Sequence, residues 1–110
     1  MLPVDQPSTL NPLLLMLYLN IHLRVKDSAD IEKVGELLRK QGQLSRAEPG
    51  CVRFDVYHSK NDPAVYLLCE YWDNEASLDQ HRLATAYTTI YKPQVLPLVD
   101  RVPHPCDLLE

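Results

Sequence analysis

Residues 17–25, Leu-Tyr-Leu-Asn-Ile-His-Leu-Arg-Val, alternate without a break. Leu17, Leu19, Ile21, Leu23 and Val25 point one way, and Tyr18, Asn20, His22 and Arg24 the other, which predicts a strand with one face buried. The period then changes. Ile31, Val34, Leu37, Leu38 and Leu44 fall on one side of a helix, with Asp27 or Ser28 as the N-cap. Asp30 and Glu32 sit near its start and Arg39, Lys40 and Arg46 near its end, as the helix dipole prefers. Glu48-Pro49-Gly50 is a turn signal that ends it. Gly35 and Gly42 each cost about 1 kcal/mol inside a helix relative to Ala; close packing on a sheet is a reason to keep them.

Alternation returns in Cys51 to His58, where Val52, Phe54 and Val56 oppose Arg53, Asp55 and Tyr57. Ser59 to Pro63 is rich in turn residues, so a hairpin leads to a third strand, Val65 to Trp72. Within that strand Leu67, Cys69 and Tyr71 share one face, and Tyr66, Leu68, Glu70 and Trp72 the other. Asp73 or Asn74 caps a short helix through about Leu83. A second helical piece runs from about Thr85 to Tyr91, with Pro93 and Pro97 preventing one long helix. Val99 to Val102 is a fourth strand, and the tail from Pro103 is expected to be irregular. The predicted fold is therefore α+β, β-α-β-β-α-β, the ferredoxin-like arrangement with an antiparallel sheet. Helices cover one sheet face. The bare face is expected to carry Tyr18, Asn20, His22, Leu68 and Trp72. That set is too aromatic to be simply solvated, so a second copy of the chain is expected to cover it, giving a dimeric α/β barrel with a cavity between the sheets.

Composition narrows the picture. At 110 residues, 45% hydrophobic and 24% charged, the chain is one globular domain with one core. The expected organisation is a leader at 1–16, a domain at 17–102 and a tail at 103–110. The apolar run from Leu10 to Leu19 lacks a basic stretch before it and a small-residue cleavage site after it, and it is too short to span a bilayer. Met16 is a candidate natural start. The net charge of −4 and the lack of a Lys/Arg-rich run point away from nucleic acid and anionic membranes. Cys51, Cys69 and Cys106 are odd in number and form no CxxC, so reduced thiols and a cytoplasmic location are expected. His22, His58, His81 and His104 show no HxH or HExxH spacing, and there is no GxGxxG or P-loop. No metal and no nucleotide cofactor is expected.

Glu48-Pro49-Gly50-Cys51, Phe54-Asp55-Val56-Tyr57, Glu70-Tyr71-Trp72 and Leu78-Asp79-Gln80-His81, in this order and spacing, resemble the antibiotic biosynthesis monooxygenase domain family over roughly residues 18–100. The resemblance implies a homodimeric α/β barrel with a pocket between sheet and helices. It also implies a choice of activities: oxygenases that use neither metal nor flavin, enzymes of quinols or polyketide-like phenols, isomerases of small phosphorylated molecules, and haem degraders. Fold alone does not choose among them. Where haem degraders carry a ligating His, this chain has Tyr91. Where the isomerases carry a His before the aromatic at Tyr87, it has Ala86.

Oxygenation without a cofactor needs a base, donors that hold an anion, and a dry pocket that admits oxygen. The family pattern puts a His at His81, the expected base; base catalysis contributes on the order of 10²–10⁴-fold. Asn20, matching an Asn of the family, and Trp72, through its indole N–H, are expected to hold an oxyanion or peroxide. His22 is an alternative base, Tyr18 is expected to line the pocket, and Tyr87 and Tyr91, one helical turn apart, are expected to line its mouth with phenol donors. Plainer readings stand beside these: His81 as a helix-end hydrogen-bonder, Asn20 as a satisfied seam residue, Trp72 as a packing anchor. Glu70 is expected to pair with Arg24 or Arg53 or with backbone. The expected function is a cofactor-independent monooxygenase, an oxidoreductase of a small electron-rich aromatic such as a quinol. An isomerase using Arg24, Arg53 and Arg82 to hold a phosphorylated metabolite, or a non-catalytic ligand-binding dimer, are the alternatives.

Overall fold

The computed structural model describes residues 15–110, so the expected leader lies outside the described residues except for Leu15 and Met16. Strand β1 (Leu17–Val25) is followed by a 3₁₀ turn (Ser28–Asp30) and helix α1 (Ile31–Arg46). Strands β2 (Cys51–His58) and β3 (Val65–Trp72) form the hairpin. Helix α2 (Glu75–His81) comes next. A wide π-type helix, α3 (Ala86–Val95), then passes through a 3₁₀ turn (Leu96–Leu98) into β4 (Val99–Cys106). The sheet order is β2-β3-β1-β4, and all neighbours are antiparallel. The ferredoxin-like order is the expected one, with the second helical segment split in two. Side-chain oxygens secure the helix starts: Asp27 accepts from the Ala29 N–H and Asn74 from the Ser77 N–H, both at 2.9 Å.

Helix α1 is fixed on the sheet at both ends. The Tyr66 hydroxyl donates to the Ile31 carbonyl at 2.8 Å, and a Cβ at Gly35 would collide with that hydroxyl. Further along, Gly42 sits over Val56 and Phe54, and Arg46 donates to the Phe54 carbonyl at 2.7 Å. The helix glycines thus stand where helix and sheet approach most closely. The core between them holds Leu23, Val34, Leu38, Phe54, Trp72 and Val95, all fully buried. Each is worth roughly 1.5–3 kcal/mol for its removal from water.

Three expectations change. First, the bare face is composed differently. Residues directly opposed in an antiparallel pair project to the same side, and the register sets Leu17 against Trp72 and Ile21 against Leu68. Leu68 and Trp72 therefore lie under the helices with Ile21 and Leu23, not beside Tyr18, Asn20 and His22. Both faces of β3 carry apolar residues, so its own pattern did not reveal which one pairs with the buried side of β1. The bare face takes Leu67, Cys69 and Tyr71 from β3 instead. Second, the tail is not irregular: β4 pairs with β1 as far as Cys106. Pro103 and Pro105 are tolerated because β4 is an edge strand, where a proline removes a donor that would otherwise face solvent. Third, Pro93 does not end its helix. The wide winding carries on to Val95, and the Leu96 N–H reaches back to the Tyr91 carbonyl.

Candidate functional site

The polar groups buried in this domain are concentrated at one end of the helix-covered layer. Tyr66 meets α1 at Ile31 and Gly35, Phe54 and Val56 meet it at Gly42, and the chain leaving α1 reaches Glu48. Along this line the buried stripe of the helix turns from Val34 and Leu38 to Gln41 and Ser45. Gln41 Oε1 and Ser45 Oγ have no hydrogen-bond partner among the described residues. The same change occurs along β3, from Tyr66 and Leu68 to Glu70 and Trp72.

His81 closes α2 with its side chain only 4% exposed. Its Nδ1 lies 2.7 Å from Glu48 Oε1, across 33 positions of sequence. The ring lies against Trp72 with centroids 4.5 Å apart; Tyr87 stands edge-on at 5.7 Å and Phe54 at 5.9 Å. The turn that delivers Glu48 is tightly built. Gly50 has φ +82°, and a Cβ there would run into Ser77 and Asp73. The Asp73 N–H donates to the Gly50 carbonyl at 2.9 Å. Only glycine lets this turn dock against α2, the helix that carries His81.

Trp72 is fully buried, and its indole N–H donates to Glu70 Oε1 at 3.0 Å. Burial raises the Glu70 carboxyl above its ordinary range, against the pull of the Trp72 N–H and the charges of Arg101 and Arg82. The expected pairing of Glu70 with Arg24 or Arg53 does not occur, because those residues lie elsewhere. Arg24 pairs with Asp62 at 2.9 Å, and Arg53 with Asp55, over the ring of Tyr71. Tyr87 and Tyr91 have ring centroids 5.4 Å apart. Tyr91 is interior rather than at a mouth: its hydroxyl accepts from Arg101 Nε at 2.9 Å, and burial pushes the phenol up to about 12.

The structure thus brings together His81, Trp72, Tyr87 and Tyr91, and sets Tyr18, Asn20 and His22 apart on the opposite face of the sheet. Asn20 is exposed, its amide donating to Cys106 Sγ at 3.3 Å. Tyr18 packs edge-on against Tyr71 with centroids 4.7 Å apart. Within one chain the sheet itself separates these three from His81. The indole N–H expected to hold an anion is already committed to Glu70. Glu48 and Glu70 were missed as partners in the sequence. The one signal for Glu48 was a carboxylate at the head of a Pro-Gly turn that needs none for its geometry.

His81 and Glu48 line a surface cavity of about 470 Å³, together with Pro49, Ser77, Gln80 and Leu83. A larger one, about 830 Å³, lies between α1 and the β2 edge, lined by Gly35, Arg39, Tyr57 and His58. It contains no member of the His81 cluster, and chemistry rather than size marks the smaller as the candidate site.

Fold and site together define a ferredoxin-like α+β domain whose buried His81 is held by a carboxylate beside an open cavity. Residues 16–92 match the family model for antibiotic biosynthesis monooxygenase, well over half of the chain, and the protein belongs to that family. Solved structures share the fold. A conserved protein of unknown function from Bacteroides thetaiotaomicron superposes with a TM-score of 0.79 at 24% identity, over 86% of this chain and 98% of that one. An antibiotic biosynthesis monooxygenase gives 0.75 at 23%, over 84% and 99%. A mutant of SnoaB, a cofactor-independent oxygenase from Streptomyces nogalater, gives 0.74 at 8%, over 86% and 94%. At these identities the likeness is one of fold. A curated relative, an uncharacterized protein of Synechocystis sp., is 40% identical over 37 residues, which is 34% of this chain and 25% of that protein.

Proposed function

We propose that the protein is a cofactor-independent monooxygenase of a small electron-rich aromatic such as a quinol, working as a homodimer. The observation that carries this reading is the buried His81 ring, walled by Trp72, Phe54 and Tyr87 and reached from a cavity of about 470 Å³. His81 takes the phenolic proton. The phenolate supplies the first electron to dioxygen, and a carbon–oxygen bond forms. In sum, a quinol and dioxygen give a hydroxyquinone and water, with all four electrons coming from the substrate. Ser77 and Gln80, on the cavity wall, are the donors for the anion, in place of Asn20 and Trp72. The wall of aromatic rings, with Trp72 and Phe54 fully buried and Tyr87 partly so, keeps bulk water from one side of the reacting atoms.

The cavity chemistry favours this reading over the phosphate-handling isomerase. Among the described residues, no arginine or lysine lines it, and the cations expected to serve are engaged elsewhere: Arg24 with Asp62, Arg53 with Asp55 and Arg82 with Asp79. A homodimer is supported by the bare sheet face, where Leu67 and Val102 are each more than 40% exposed. Oxygen uptake with a panel of quinols and anthrone-like phenols tests the activity. Uptake above the uncatalysed rate is expected, falling by roughly 10²-fold or more in His81→Ala. Equal uptake by His81→Ala would sink the assignment.

A further inference from the structure

Resting on that reading of His81, we propose that Glu48 is the positioning residue of the site: its carboxylate holds the Nδ1–H of His81, so that the imidazole offers Nε2 as its proton-accepting nitrogen. The argument begins with donor and acceptor counting. An ionised carboxylate has no hydrogen to give, so a ring nitrogen 2.7 Å from Glu48 Oε1 must carry the proton. In a neutral imidazole that leaves the lone pair on Nε2. Nε2 has no hydrogen-bond partner among the described residues. The nitrogen left open is therefore the one able to act as base.

The surroundings are arranged to hold this pair. Glu48 is 14% exposed and His81 4%, so water competes weakly for the bond. Glu48 is fixed through its own backbone, with its N–H on the Ser45 carbonyl at 3.0 Å and its carbonyl accepting from the Cys51 N–H at 3.2 Å. The Gly50 turn then docks on Asp73 and Ser77, one of them the residue before the α2 cap and the other inside α2. Carboxylate and imidazole so arrive from two segments that are locked to each other. Trp72, Phe54 and Tyr87 close on the ring and limit its rotation. A bond that served only to tie the turn to α2 would not need the opposite ring nitrogen to stay without a partner in a residue that lines a cavity.

The test reads the tautomer directly. Histidine-labelled protein is examined by ¹⁵N NMR at a pH above the imidazole titration, the His81 signal being identified by its loss in His81→Gln. The wild type is expected to show the Nδ1–H tautomer, Glu48→Ala the Nε2–H tautomer, and Glu48→Gln, whose amide oxygen still accepts, the wild-type tautomer. In quinol oxygen uptake, Glu48→Ala should lose at least about tenfold in kcat with KM little changed, and Glu48→Gln should recover part of it. An Nε2–H tautomer in the wild type overturns the proposal, and that spectrum decides even if Glu48→Ala does not fold. Unchanged kcat in a folded Glu48→Ala overturns it as well. A tautomer that switches in protein showing no oxygen uptake supports the pair and overturns only the oxygenase reading.

Discussion

Two residues show how single side chains, or the lack of one, decide the site. Gly50 is required twice over, by its positive φ and by the absence of space for a Cβ. Gly50→Ala should cost about 1–2 kcal/mol from backbone strain alone and more from the displaced turn. A fall in the urea midpoint accompanied by a changed His81 ring signal is expected, and a midpoint equal to wild type would contradict the geometry. Glu70 makes a prediction about pH. Its carboxyl binds a proton more tightly when folded than when unfolded, because burial disfavours the charge. The folded state therefore holds more protons, and stability falls as pH rises from the ordinary carboxylate range through the raised folded value. Glu70→Gln keeps an acceptor for the Trp72 N–H and removes the titration. It should be stabilising at pH 7 and close to neutral at pH 4. Chemical denaturation at the two pH values checks this, and an equal effect at both would show that Glu70 is not strained by burial.

At the scale of elements, α1 is positioned by contact rather than by propensity. Gly35 lies against the Tyr66 ring, and the Tyr66 hydroxyl holds the Ile31 carbonyl. Gly35→Ala improves intrinsic helix propensity by about 1 kcal/mol, yet it overpacks the seam, at a cost of typically 1–3 kcal/mol. The net expectation is destabilisation, with partial recovery in Gly35→Ala/Tyr66→Phe, where the colliding hydroxyl is gone. A double-mutant cycle measures that coupling, and strictly additive effects would argue against the contact. The strands were legible from alternation alone: 17–25, 51–58 and 65–72 were expected and found. What escaped was the end of β4 and the passage of α3 through Pro93. Both are cases where proline signals a break but an edge position or a wide helical winding accommodates it.

For the whole molecule, the two sheet faces have different fates. The helix-covered face encloses the His81 cluster, while the other presents Tyr18, Asn20, His22, Leu67, Tyr71 and Val102. A second copy is expected to cover this face, and a stable pairing needs about 800 Å² from each partner. Sedimentation velocity at micromolar concentration should show a dimer, converted to monomer by Leu67→Arg. A wild type that sediments as a monomer at tens of micromolar would remove the homodimer from the proposed function. Among the described residues, no helix is long and apolar enough to cross a membrane.

The sequence by itself determined the order of elements and the apolar side of β1, because period and turn chemistry are local properties. It also singled out His81 and Trp72, through the family pattern that residues 16–92 match. Only the tertiary structure decided which residues share a site. Register between strands set Trp72 under the helices and left Asn20 and His22 on the far side, and no pattern within one strand carries that information. The partnership of Glu48 with His81 was equally hidden. It depends on a turn without a Cβ docking onto a helix whose histidine lies 33 positions away from the carboxylate, a contact made by packing and written in neither segment alone.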